Sequence, residues 1–543
     1  MGFFIGLDIG TTSTKVFIYD EQGGIRGGGK AGYPLLVPEP GRAEQRPQDI
    51  LAAVVEAFRQ AMQDGGVRPS EIEAVGVSAA MHSLMAVDRD GQPLTPLLTW
   101  ADNRSAPQIA ELKQKGLDRE LYALTGTPVH PMSPLGKLIW WKEQQPGLFT
   151  EPVRFISIKE YVLHEFFGVY ALDTSVASAT GLLHISGKDW CPEALELAGV
   201  RRESLGELMP VTAVLRGMKP EMAEACGLSA DTPWVVGASD GALANIGSGA
   251  AGLERTAVTI GTSGAVRRFV SRPLTDPEGR TFCYAFDSDR WLIGGPTNNG
   301  GMALRWFTEK FVEADEAAET RRSEGPPAGR GRRQYRDRLR VPGPGKRALT
   351  TIDKNNKLQE LIRMAMNVPP GADGLLFLPY LSGERAPYWN SDARGVFAGA
   401  ALHHGRPHFA RAVLEGVLYA VNSVAEVLSE LAGPTGSLLA SGGFAGSPEW
   451  TALLADIADV EVEVPDTYEA SAYGAAVMAM VGMGALRSPQ DAPLKSELLR
   501  VHRPDPARAV VYGEMYGLFK ELYGRMEPVF PALAAIQSRS ADK

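Results

Sequence analysis

A chain of 543 residues is long enough for roughly two to four domains with substantial cores. With 44% hydrophobic and 22% charged residues it has the balance of a globular protein, and a net charge of −9 gives no reason to expect nucleic acid or an anionic membrane as partner. The three cysteines, Cys191, Cys226 and Cys283, are too widely spaced for a local metal cluster or a disulfide framework, which favours a reducing, cytoplasmic setting. No apolar run reads as long enough to span a bilayer, and the first one, interrupted by Asp8 and without a basic flank, reads as a strand and not a signal peptide.

The first element predicted is a hairpin over residues 3–20, with its turn at Gly10, Thr11 and Thr12. Glycine there lets backbone and ligand approach closely, and the hydroxyls of Thr11, Thr12 and Thr14 with the turn N–H groups can face an anion. Asp8 at the strand end is placed to hold a divalent cation through water, and Lys15 adds a positive charge. Together they suit the phosphate tail of a magnesium nucleotide; the plain alternative is a hairpin with a polar turn. The device returns at residues 257–270, where Gly261, Thr262 and Ser263 form the turn, so two similar domains gripping one phosphate chain are expected.

Between the hairpins, residues 27–36 read as a third strand, 48–64 as a helix with Leu51, Val54, Val55, Phe58 and Met62 on one face, and 74–78 as a buried strand. This alternation predicts an α/β domain with a mixed sheet. Met81 and His82 follow that strand end, where such folds place ligands. Trp100, Asp102 and Arg104 offer a stacking face, an acid and a base, or else a surface ion pair. His130 lies in a proline-punctuated loop and reads more readily as structural than as a ligand. A strand then runs into Asp240 and Gly241; the carboxylate suits a base on a bound hydroxyl or, equally, a helix N-cap.

Past residue 249, strands are expected near 282–286, 291–293 and 437–440, and a long apolar-striped helix over 406–431. The last strand enters a turn through Gly442, Gly443 and Ser447, of a kind that admits a flat base and ribose. Residues 321–347 are dense in Arg, Gly and Pro without apolar period, and read as a disordered or extended loop; a basic nucleic-acid arm is disfavoured because no aromatic interleaving accompanies it.

Five motifs then carry a resemblance: Asp8-Ile-Gly-Thr-Thr-Ser-Thr-Lys15, Gly237-Ala-Ser-Asp-Gly241, Ile260-Gly-Thr-Ser263, Leu381-Ser-Gly-Glu-Arg-Ala-Pro387 and Ser441-Gly-Gly443. In this order, over nearly the whole chain, they resemble the FGGY carbohydrate kinases, and most of all the gluconate kinases of that family, with xylulokinase and glycerol kinase as relatives. The resemblance implies an α/β, two-domain, actin-like (ribonuclease-H-like) ATPase fold with a central cleft. The expected domains are 1–248 on the sugar side, 249–490 on the nucleotide side with a basic insert at about 319–355, and a helical tail at 491–543.

The resemblance further implies ATP and Mg²⁺, with Asp240 as general base and Asp8 at the metal. Gly10, Thr11, Thr12, Lys15, Gly261, Thr262 and Ser263 would surround the phosphates. Gly300, Gly301, Gly442, Gly443 and Ser447 would sit against the nucleotide. Met81, His82, Trp100, Asp102, Arg104, His130, Lys159 and Gly241 would line the substrate. The expected partner is a small sugar acid or sugar, with no nucleic acid and no membrane; a homodimer is compatible with the sequence. The expected reaction is phosphorylation of D-gluconate to 6-phosphogluconate, with Arg104 or Lys159 recognising the acid. The rivals are a neutral sugar as acceptor, an actin-like ATPase or chaperone, and a catalytically dead sugar sensor. A chaperone would not need Trp100, Asp102 and Asp240 on the sugar side, and the presence of both Asp8 and Asp240 argues against a dead sensor.

Overall fold

The computed structural model describes residues 2–149, 152–312, 351–466, 469–493 and 498–541. The stretch 321–347 read as an extended loop therefore lies outside the described residues. The helix that follows, Thr351–Met366, begins ahead of the expected resumption at residue 358.

Two twisted sheets form the frame. The first runs through β1 (Phe3–Ile9), β2 (Ser13–Asp20), β3 (Ile25–Gly32), β4 (Ile72–Ala79), β5 (Val214–Leu215) and β6 (Trp234–Ser239), in spatial order β5-β6-β4-β1-β2-β3. Strands β1, β2 and β3 form an antiparallel meander, and β4 and β6 extend the sheet parallel to β1. The second holds β7 (Arg255–Ile260), β8 (Gly264–Val270), β9 (Phe282–Ala285), β10 (Trp291–Thr297), β11 (Ser437–Ser441), β12 (Val462–Pro465) and β13 (Leu498–His502), ordered β9-β10-β8-β7-β11-β12-β13. It repeats the plan: β7, β8 and β10 are antiparallel neighbours, and β11 and β12 run parallel to β7. A meander extended by parallel strands, found twice in one chain, is the two-domain actin-like arrangement. It sets the ends of β1, β4 and β6 opposite those of β7 and β11, where open α/β sheets place ligands.

Each sheet has a long helix between its meander and its first parallel strand. In the first it is Pro47–Gly65, whose Ile50, Val54, Ala57, Phe58 and Ala61 face the sheet. In the second it is Arg406–Ala432, with Val413, Val417, Val421, Val424 and Leu428 buried. Among the described residues this is the one helix long and apolar enough to cross a bilayer, contrary to the sequence reading, but most of it is buried within the protein. Its stripe is core. The segment read as a separate tail is no appendage: β13 edges the second sheet, and Tyr512, Phe519 and Tyr523 of helix Pro506–Met526 enter the large core shared with that long helix.

The sheets are linked by two crossing helices. Helix Asp240–Gly247 leaves β6, while Ala470–Gly482 follows β12 and lies across β1 and β4. Backbones touch where they meet. A Cβ on Gly474 would stand 2.0 Å from the Leu243 carbonyl oxygen, one on Gly247 1.9 Å from that of Ala470, and one on Gly6 1.8 Å from that of Ala472. Neither backbone can yield as a side chain would, so Gly474→Ala should cost about 3 kcal/mol or more in urea unfolding. Gly513→Ala, in the open on helix Pro506–Met526, should stabilise slightly, since alanine is the better helix residue. Equal midpoints for the two variants would contradict this packing.

Candidate active site

The two Gly-Thr turns are built alike, and Trp100, which bonds the first, lines a cavity with the second. The Gly10 amide donates to the Ser13 carbonyl at 3.1 Å, and the Gly261 amide to that of Ser263 at 2.8 Å. The first turn is one residue longer, since Ile9 pairs with Thr14 and Ile260 with Gly264. Both are braced from behind. Tyr33 Oη donates to the Gly10 carbonyl at 2.5 Å, Gln45 Nε2 to that of Thr11 at 2.7 Å, and Trp100 Nε1 to Thr11 Oγ1 at 3.0 Å. On the other side, Gly301 and Met302 amides donate to the carbonyls of Gly261 and Thr262. A Cβ on Gly300 would meet the Ser263 backbone at 2.7 Å. Gly300 and Gly301, expected at the nucleotide, thus support the second turn. Thr14 is corrected likewise: it is fully buried, with its hydroxyl 3.4 Å from that of Tyr33.

Three carboxyls gather at this end of the first sheet. Asp8 closes β1 and accepts a hydrogen bond from Ser78 Oγ on neighbouring β4 at 2.7 Å. Burial pushes it up to about 7 against that hydrogen bond, and the charges of Asp240 and Glu469 push the same way. Asp240 is the first helical residue after β6. The N-cap itself is Ser239, so capping does not account for the carboxylate. Asp240 Oδ1 accepts from the Gly241 amide at 2.7 Å. Burial holds its carboxyl above the usual range, partly offset by Arg267 and by the Gly241 and Met81 amides. Lys15, beside Asp8 across the hairpin, forms a 2.5 Å ion pair with Glu469. Two carboxyls whose burial and mutual repulsion disfavour charge, next to hydroxyl-bearing turns, are a donor set that fits a hard divalent cation.

A cavity of about 270 Å³ opens beside Asp240. Met81, His82, Trp100, Asp240, the Gly261–Ser263 turn, Arg267, Tyr284 and Arg385 lie on its wall. His82 has φ +65° and sets Nδ1 2.8 Å from the Ala179 carbonyl, so Nδ1 carries the proton and Nε2 is left as acceptor. Burial drives its pKa down to about 3, which keeps the ring neutral. Lys137, fully buried, donates to the carbonyls of His82, Thr99 and Met132 at 2.7–2.9 Å and so ties three wall segments together. Arg385 lies with Cζ 5.0 Å from the Trp100 ring centre, so that indole face already carries a cation. A second cavity, about 560 Å³, adjoins the first through Trp100, Met132, Thr262, Ser263 and Arg385, and His130 lines it. His130 Nδ1 accepts from the Met132 amide, and its ring lies 5.4 Å from that of Trp389.

Several expected substrate residues are committed elsewhere. Asp102 is fully buried and accepts from the Ala43 amide and from Arg104 Nε and Nη2, each at 2.8 Å. Arg104 also bonds Glu44 at 2.5 Å. This closed network shapes the loop behind Trp100 and leaves Arg104 no free fork for an acid. Lys159 lies on helix Ile158–Phe167 and is fully buried in a 2.5 Å pair with Asp173. The signal was present: Ser157 and Glu160 form a capping box, which predicts a helix start. On the nucleotide side, Gly442 needs glycine at φ +86°, where a Cβ would meet the Ile260 carbonyl at 2.6 Å, and Gly443 faces open space. Ser447 instead caps helix Pro448–Ala458, accepting from the Trp450 amide.

Sequence reasoning passed over Arg267, Tyr284 and Arg385. The alternation Ala265, Arg267, Phe269 along β8 does set a cation on an otherwise apolar face, which is a readable anomaly.

The comparisons with known proteins agree with this architecture. Residues 3–247 match the N-terminal domain of the FGGY family of carbohydrate kinases, and residues 256–483 match its C-terminal domain. A gluconokinase of Bacillus subtilis is 39% identical over 487 residues, spanning 90% of this chain and 88% of that one. The crystal structure of a gluconate kinase from Lactobacillus acidophilus superposes with a TM-score of 0.87 at 31% identity, covering 98% of this chain and 99% of that one. A ligand-bound xylulose kinase from the same organism also gives 0.87, at 30% identity over 98% and 100%. With both of its domains matched in order on a doubled sheet that carries one Gly-Thr turn in each half, the chain belongs to the FGGY family of carbohydrate kinases.

Proposed function

We propose that this kinase transfers the γ-phosphoryl group of ATP to the terminal hydroxyl of D-gluconate. The observation that carries the reading is the cavity at Asp240, which joins a base, a phosphate-type turn and guanidinium groups in one small volume. The substrate hydroxyl lies against Asp240, which accepts its proton as the oxygen attacks phosphorus. His82 Nε2 and the cavity wall orient the polyol, and Lys137 fixes that wall. The turns at Gly10–Thr12 and Gly261–Ser263 hold the phosphates from two sides in line with the acceptor, so positioning and charge stabilisation supply most of the acceleration. Gly442 and Gly443 leave room for the nucleoside. Asp8, with Asp240 beside it, would hold Mg²⁺, which when bound offsets charge on the phosphate oxygens.

Coupled ADP release should be fastest with D-gluconate across a panel that includes D-xylulose, D-ribulose and glycerol. A higher kcat/KM for a ketose would replace gluconate with the xylulokinase reading, which the shared geometry with a xylulose kinase keeps in play. ADP release independent of every sugar would support an ATPase instead.

A further inference from the structure

Arg267 is a cation on this cavity's wall whose bonding among the described residues is incomplete. It projects from β8, four residues past Ser263 at the end of the second turn, into the wall shared with Asp240 and Tyr284. Its Nη1 is buried and has no hydrogen-bond partner among the described residues; the same is true of the Tyr284 hydroxyl on β9. Arg385, the other guanidinium on the wall, already donates through Nε to Asn298 Oδ1 at 2.7 Å and through Nη2 to the Thr297 carbonyl at 3.1 Å. Arg104, Lys137 and Lys159 are consumed by Asp102 and Glu44, by three carbonyls, and by Asp173. Gly241 makes room for the Arg267 stem, since a Cβ there would stand 3.0 Å from Arg267 Nε.

A buried donor without a partner is costly, and a buried guanidinium more so. A neutral polyol can accept singly from it and adds nothing to the partial compensation that Asp240 gives its charge. A carboxylate accepts from a guanidinium fork through both oxygens and cancels the charge, and a phenol beside it supplies a further donor. We propose that Arg267, supported by the Tyr284 hydroxyl, is the specificity-determining pair that reads the carboxylate of a sugar-acid substrate. This rests on the gluconate reading above.

The test compares an acid with neutral acceptors in the full-length enzyme. For Arg267→Met the KM for D-gluconate should rise ~10-fold or more, the loss expected of a charge-assisted hydrogen bond, while KM for D-xylulose and D-glucitol should change less than about threefold. Arg267→Lys should recover part of the acid preference, and Tyr284→Phe should weaken gluconate binding by a few fold, again without effect on neutral acceptors. If Arg267→Met does not fold, judged by its melting transition, the Lys and Phe variants carry the test through the same ratio. Equal losses on acid and neutral acceptors would assign Arg267 to the phosphoryl group or to Asp240 and overturn the proposal, as would an unchanged ratio. A wild-type enzyme that prefers neutral acceptors would overturn this inference and the gluconate reading together. An acid-preferring wild type whose variants keep that preference would overturn this one alone.

Discussion

Asp240→Asn is expected to lower kcat by about 10²–10⁴-fold while leaving ATP and sugar binding nearly intact. The amide keeps the shape of the carboxyl and can still face the Gly241 amide, but it cannot take a proton. Burial raises Asp240 above the ordinary carboxylate range, and Arg267 and two backbone amides restrain the shift. The raised value brings the carboxylate nearer to working pH, where a base takes up a proton most effectively. Only the ionised form serves, so kcat/KM in the wild type should fall on the acid side with an inflection above that of a free aspartate. Steady-state kinetics from pH 5 to 9, with isothermal titration of both ligands, test this; a variant with near wild-type kcat would remove Asp240 from the mechanism.

Asp8→Asn should do two opposite things. Turnover should fall by about 10²-fold or more, since the carboxylate proposed to hold the metal is lost. The ligand-free protein should nevertheless become more stable at pH 8. Asp8 is raised in the fold from 3.8 to about 7. Folding therefore favours its protonated form, and that contribution is complete below about pH 4 and lost as the pH rises through 7. Above 7 the buried carboxylate costs up to about 4 kcal/mol relative to the unfolded chain, which an asparagine does not incur. Calorimetry without magnesium or nucleotide should show a higher melting temperature for the variant at pH 8 and little difference near pH 4. A variant less stable than wild type at both values would contradict the burial of an ionisable Asp8.

What could be read in advance follows from how local the chemistry is. The turns at Gly10–Thr12 and Gly261–Ser263 are contiguous in sequence, so four residues sufficed to expose them. The duplicated sheet followed from matching the two hairpins. Cations were misread because their fate depends on partners far along the chain: Lys159 meets Asp173, and Arg104 meets Glu44 as well as its near neighbour Asp102. Only tertiary packing shows that those pairs are closed and that Arg267 is open. The C-terminal segment carried the helical spacing Tyr512, Met515, Tyr516, Phe519 and Tyr523, but nothing local told that this face would join the second core.

The glycine-to-backbone crossing of helices Asp240–Gly247 and Ala470–Gly482 has a bearing on timing. Asp240 heads the first helix, and Glu469, partner of Lys15 on the first hairpin, immediately precedes the second; Ser471 Oγ reaches the Asp240 carbonyl at 3.3 Å. Two rods touching along bare backbone can pivot without exchanging rotamers, and the groups at their tips swing with the pivot. A turn of the lobes about this crossing would therefore be felt at Asp240 and at the Lys15–Glu469 pair together. If the lobes close about this crossing when both ligands bind, water arriving without sugar would meet a base that is out of line.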